Sequence, residues 1–198
     1  MSFKLSQSTT SNSMNAKALS LTGLLLITPD VHSDERGFFM ETAHTLKFKE
    51  IGIDCDFVQD NHSHSVQGVV RGLKYQYDMP TAKLVRVAYG EALCVGLDIR
   101  PDSPTFGKWE SVVISSDNKQ MLYLPFGFAF GFAALSETVG MLYKLSALHN
   151  ASGSGTIRCV DPALGIEWGI ESPIVAPQDL EVPTFAEWQA QGKHLAIR

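Results

Sequence analysis

Only three cysteines, Cys55, Cys94 and Cys159, occur in 198 residues, and none belongs to a CxxC pair. An odd count without framework spacing argues against a secreted disulfide scaffold and for a reducing compartment, so a cytoplasmic location is expected. Basic residues are not in excess either: the net charge is -5. Nothing in that balance attracts nucleic acid or an anionic membrane, so an anionic ligand has to be held by locally placed basic groups. No apolar run is long enough to span a bilayer. Ala18 to Ile27, ALSLTGLLLI, follows Lys17 and imitates the start of a signal peptide, but TPDVHSDERG comes next with no small-x-small cleavage site, and the run reads as a strand. Phosphate-cradling glycine loops, a GxSxG elbow and a cysteine nucleophile motif are all missing, so an enzyme built on this chain works by proton transfer or positioning.

What is present suits one domain with a sizeable core. Residues 1–14, MSFKLSQSTTSNSM, offer almost nothing to bury and read as a flexible arm, leaving 15–198 as a single domain. Short runs of Val, Ile, Leu and Phe are separated by Gly, Pro, Asp and Ser clusters, the punctuation of an all-β sandwich or barrel. Leu93, Val95, Leu97 and Ile99 alternate with Cys94, Gly96, Asp98 and Arg100, which predicts a half-buried strand. Lys83 to Tyr89, Ser111 to Ser115, Met121 to Leu124 and Gly140 to Leu145 predict strands likewise. Helix is expected only at the periphery, over Thr42 to Ile51 and Pro183 to Gln191, the latter capped by Thr184 and carrying Phe185 and Trp188.

The stretch from Phe57 to Gln76, FVQDNHSHSVQGVVRGLKYQ, concentrates polar chemistry inside strand-like sequence, where burial is costly unless something binds. In strand register Gln59, Asn61 and Ser63 share one face, either an exposed polar face or a row of amide donors and acceptors. Arg71 and Lys74 are an odd number of residues apart and would point to opposite faces of a regular strand. A bulge at Gly72 would bring them together, and Arg71, Lys74, Gln76 and Lys83 would then form a basic floor suited to a phosphorylated or keto-bearing ligand; surface salt bridging is the alternative. His62 and His64 resemble a cupin metal pair. The glutamate and later histidine of such a site are absent, since Gln67-Gly68 and Pro125-Phe126-Gly127-Phe128-Ala129-Phe130 stand in their places, so no metal is expected.

Taken together, several segments resemble the dTDP-4-dehydrorhamnose 3,5-epimerase family of nucleotide-sugar enzymes. They are Asp34-Glu35-Arg36-Gly37-Phe38-Phe39 with Glu41, Gln59-Asp60-Asn61-His62-Ser63, Gly68-Val69-Val70-Arg71-Gly72-Leu73 and Tyr75-Gln76. Ala82-Lys83-Leu84-Val85-Arg86-Val87, Ser103-Pro104-Thr105-Phe106-Gly107 and Asp161-Pro162 through Trp168 continue them in the family's order, from about residue 20 to 185. The resemblance implies a jelly-roll cupin barrel with short peripheral helices, a homodimer in which strands cross between subunits, and no cofactor. It implies a nucleoside diphosphate 4-keto-6-deoxyhexose as substrate, with contacts from Arg36, Phe39, Glu41, Gln59, Asn61, Arg71, Gln76 and Phe130.

The implied reaction is proton abstraction beside the keto group, enolate stabilisation and reprotonation from the opposite face, which needs a base, a cation and an acid. In the family the base is the histidine of RGLHYQ, supported by an aspartate near the C-terminus, and the acid is a tyrosine after the YK strand. Here Lys74 replaces that histidine, Leu148-His149 falls where the tyrosine is expected, and Phe130 replaces the histidine of AHGF. Asp179 and Lys83, the expected enolate cation, are retained. A lysine ammonium with a reference pKa near 10.4 needs roughly 4 to 5 kcal/mol of perturbation to act as a base at neutral pH, and an aspartate beside it acts the other way. The two readings are therefore an epimerase with Lys74, Asp179, Lys83 and His149 at its centre, and a catalytically silent homologue that binds a sugar nucleotide or a partner enzyme.

Overall fold

Turn residues divide the chain into short extended runs, and these form two antiparallel sheets that close into the expected jelly-roll barrel. A computed structural model describes residues 14–79 and 81–192. From the N-terminus come β1 (Asn15–Ala18), β2 (Leu25–Thr28), β3 (Val31–Asp34), β4 (Gly37–Met40) and the short helix α1 (Thr45–Glu50). The barrel continues with β5 (Gln59–Val66), β6 (Val70–Gln76), β7 (Lys83–Tyr89), β8 (Glu91–Asp98) and β9 (Trp109–Ser115). It closes with β10 (Met121–Leu124), β11 (Phe128–Ala134), β12 (Thr138–Leu145) and β13 (Ser154–Thr156), followed by α2 (Pro177–Leu180) and α3 (Phe185–Ala190). One sheet has the order β1-β2-β10-β7-β12-β5 and the other β13-β6-β11-β8-β9, while β3 and β4 pair only with each other.

Three apolar clusters follow from this layering. Val85, Val87, Cys94, Leu122, Phe132 and Met141 fill the space between the sheets. Phe48 of α1 seals the outside of the six-stranded sheet together with Ile27, Leu84, Met121 and Met14. Met14, assigned to the arm by composition, is therefore core, and residues 1–13 lie outside the described residues. On the outside of the five-stranded sheet, Val95, Leu97 and Ile99 pack under Trp168 and Trp188.

That third cluster corrects the half-buried strand. Val95, Leu97, Ile99 and Cys94 are all 0% exposed, so β8 is covered on both faces. The cover is the C-terminal segment, whose irregular backbone carries no periodicity to announce it. Its helix α3 forms as expected: Thr184 Oγ1 accepts from Glu187 N while the Glu187 carboxylate accepts from Thr184 N at 2.8 Å, a reciprocal cap that swings Trp188 inward. Helix α1 is shorter than expected, because His44 caps it and Thr42 and Ala43 stay outside.

The Ser103 to Gly107 segment has a structural explanation. Asp98 is fully buried, and Arg100 donates to it from Nε (2.9 Å) and Nη2 (2.7 Å), Ser103 Oγ at 2.6 Å and Thr105 Oγ1 at 2.6 Å. Burial pushes the Asp98 carboxyl up, but the hydrogen bonds from Arg100, Ser103 and Thr105 outweigh it and hold the group below the usual carboxylate range. A depressed folded-state pKa contributes stability above the unfolded value that is lost as pH falls through the folded one. Asp98→Ala is expected to lower the unfolding free energy by roughly 3 to 5 kcal/mol at neutral pH. It should also flatten the acid limb of a stability profile recorded by urea unfolding.

Candidate active site

The pocket begins with a local irregularity in β6. Its pairing with β11 runs Lys74 opposite Phe130 and Arg71 opposite Phe132, with a register shift between the two phenylalanines. Gly72 sits at the shift with φ +116°, and a Cβ there would lie 2.5 Å from Gly131 Cα and 2.6 Å from Phe130 O. Only glycine fits, and the bulge turns Arg71 and Lys74 to the same side, as the odd spacing required. They enter a cavity of about 730 Å³ between the sheets. Gln59, Asn61 and Ser63 of β5, Lys83 of β7 and Tyr143 of β12 line the facing wall.

The electrostatics of this cavity are one-sided. Lys74 Nζ is 3.0 Å from Asp179 Oδ1, delivered by α2, whose carboxylate is largely buried. Lys83 Nζ donates to the backbone oxygen of Lys74 at 2.6 Å. Desolvation, reinforced by the charge of Lys74, pushes Lys83 down to about 8. Arg71 donates to Ser65 Oγ (3.0 Å) and His64 O (3.2 Å) and has no carboxylate partner among the described residues. Three cations line the cavity, with Asp179 outside the lining as the partner of one, and in a chain of net charge -5 they form the local basic site that an anionic ligand needs.

The remaining predicted residues divide into those the fold gathers and those it does not. Phe130 is buried in the pocket wall with its ring edge-on to Tyr143. Gln59 Oε1 accepts from His149 N at 2.8 Å, and Gln76 accepts from Asn150 N and donates to Leu148 O, so both amides hold the loop after β12. That loop turns His149 into the cavity and leaves Leu148 63% exposed outside the lining. Gln76 also lines the cavity itself.

Arg36, Phe39 and Glu41 do not reach this cavity within one chain. They belong to the β3–β4 hairpin and its exit, which joins neither sheet. Arg36 is paired with Asp34, Glu41 with Lys47, and Phe38 and Phe39 are 57% and 67% exposed. His62 lines the cavity and, with His64 outside it, packs around Tyr89, His64 Nδ1 lying 3.0 Å from its hydroxyl; among the described residues no three His, Cys, Asp or Glu side chains are grouped to hold a metal.

Tyr143 escaped the sequence reading. Burial pushes its hydroxyl up to about 12, and it shares a hydrogen bond of 2.8 Å with Ser63 Oγ. The alternation Val139, Met141, Tyr143 along a strand already predicted was the signal that places it inward.

The family model for dTDP-4-dehydrorhamnose 3,5-epimerase matches residues 18–187. The chain belongs to this family. The dTDP-4-dehydrorhamnose 3,5-epimerase of Salmonella typhimurium is 45% identical over 163 residues, 81% of this chain and 89% of that protein. The enzyme of the same name from Neisseria gonorrhoeae is 44% identical over 82% of this chain, which spans 50% of that relative's length. Among solved structures, dTDP-6-deoxy-D-glucose-3,5-epimerase from Legionella pneumophila, in complex with dTDP-4-keto-L-rhamnose, has a TM-score of 0.86 at 38% identity, covering 90% of this chain and 96% of that one. In this epimerase-family barrel Lys74 and Phe130 are direct cross-strand neighbours, so the two positions form one continuous patch of the pocket wall.

Proposed function

We propose that the protein epimerises a nucleoside diphosphate 4-keto-6-deoxyhexose, with a dTDP sugar as the first candidate, at C3, C5 or both. Its place is deoxysugar or surface-polysaccharide synthesis in the cytoplasm. The observation that carries this reading is the cationic floor of Arg71, Lys74 and Lys83 inside a barrel of this family. A diphosphate needs cations to bind, and the enolate formed beside the keto group needs one at its oxygen. Gln59, Asn61 and His149 offer hydrogen bonds to the sugar.

The functional unit on this reading is a homodimer. The exposed Phe38 and Phe39, next to Arg36 on a hairpin that leaves both sheets of its own subunit, are suited to cover the nucleotide end of a partner's pocket. Solvent deuterium should enter C3 or C5 of dTDP-4-keto-6-deoxyglucose well above the rate without protein, followed by NMR. Tight binding of that sugar nucleotide with no incorporation would instead make the protein a silent binder.

A further inference from the structure

Two lysine amines line the cavity and no carboxylate does; Asp179, outside the lining, is committed to one of them, Lys74. We infer that Lys83 is the base that moves the substrate's α-proton and that Lys74 is the cation at the enolate oxygen, the reverse of the roles the family resemblance implies for these two positions. The inference rests on the 4-keto sugar reading given above.

The geometry separates the two amines. Lys74 places one hydrogen on Asp179 Oδ1 at 3.0 Å and another toward Thr156 Oγ1 at 3.4 Å, the arrangement of an ammonium with one donor left for the cavity. Asp179 is buried, so its charge needs that partner. Lys83 has no carboxylate partner among the described residues. Its amine meets the Lys74 carbonyl, and the charged or titratable groups that share the cavity with it are Lys74, Arg71, Tyr143, His62 and His149. The Lys83 amine is desolvated and lacks a counter-ion, whereas Lys74 is 55% exposed and ion-paired, so of the two like charges Lys83 is the one that yields its proton.

A neutral Lys83 still donates one hydrogen to the Lys74 carbonyl, which fixes the nitrogen and leaves its lone pair for the cavity. Desolvation and the charge of Lys74 bring the Lys83 amine down to about 8, toward the range of general-base work. In the step, the Lys83 nitrogen takes the proton from the carbon beside C4. The C–H electron pair becomes the new carbon–carbon double bond, and the carbonyl pair moves onto the oxygen opposite the Lys74 ammonium. A proton delivered to the other face from a solvent-exchanging donor restores the ketone, and Lys83 returns its proton to solvent.

Charge-conserving substitutions separate this assignment from its reverse. Lys83→Arg keeps a cation but cannot act as a base, and deuterium exchange should fall at least about 1000-fold, as for Lys83→Met. Lys74→Arg keeps the cation and the Asp179 pair, and should lose no more than about tenfold. Competitive acetylation of the intact protein across pH, read by mass spectrometry for each lysine, should titrate Lys83 near 8 and shift it upward in Lys74→Met. Calorimetric binding of dTDP to each variant confirms a formed pocket. Exchange retained in Lys83→Arg and lost in Lys74→Arg, or a Lys83 that titrates near 10.4, overturns the inference and leaves the epimerase reading standing. A natural protein that binds the sugar nucleotide without exchange overturns both.

Discussion

Co-refolding equal amounts of Arg36→Ala and Lys83→Met protein is expected to recover about a quarter of the wild-type exchange rate, although neither variant alone supports it. The arithmetic follows from the proposed hairpin exchange. If each site combines the barrel of one subunit with the β3–β4 hairpin of the other, half of the random dimers are mixed. Each mixed dimer has one site with an intact Lys83 and an intact Arg36, and a second site defective in both. Within its own chain Arg36 lies on a hairpin outside both sheets, away from the cavity between them, and pairs with Asp34. A charge-assisted contact to a phosphate is worth about 1.5 to 3 kcal/mol, so Arg36→Ala homodimers should retain roughly 1 to 10% of kcat/KM. Lys83→Met homodimers lose the reaction whichever proton-transfer or enolate-stabilising role that lysine fills. Recovery no greater than the average of the two variants would show that the hairpin serves its own subunit or none, and would remove Arg36, Phe39 and Glu41 from the site.

The sequence disclosed the barrel because its evidence is local. Strand alternation, glycine and aspartate turns and the Thr184 cap are each written within a few residues, and β7 and β10 match their predicted bounds. Arg71 and Lys74 could be placed together for the same reason: an odd spacing around one glycine states the problem and its solution at once. What stayed hidden depends on distant partners. The second buried face of β8 is made by a segment more than fifty residues later, without regular structure to betray it. Motif spacing grouped Arg36 and Glu41 with Lys83, but spacing carries no information about which subunit's cavity a hairpin serves. Lys83 itself was legible as a cation. Its lowered pKa required knowing that the fold desolvates its amine and stands Lys74 beside it.

Gly72→Ala is expected to be among the most damaging single substitutions in the barrel, lowering the unfolding free energy by about 3 to 5 kcal/mol and removing exchange together with it. Two independent costs add at this position. The backbone has φ +116°, which an L side chain rarely adopts, and the new methyl would meet Gly131 Cα and Phe130 O at 2.5 and 2.6 Å. Neither obstacle is the tip of a flexible side chain, so relief requires the β6–β11 ladder to move. For a domain of this size the loss corresponds to a fall of about 10 °C in Tm, read by calorimetry. Gly165→Ala is the control, since Gly165 also has a positive φ of 59° but nothing within 4 Å of its Cβ, and it should cost only about 1 kcal/mol. The functional consequence separates a bulge that merely fits the core from one that builds the site. If β6 relaxes to a regular strand, Arg71 and Lys74 part to opposite faces and Lys74 leaves Asp179. A Gly72→Ala protein that folds at low temperature should then have lost dTDP binding as well as exchange, whereas full binding in that protein would show that the bulge serves packing alone.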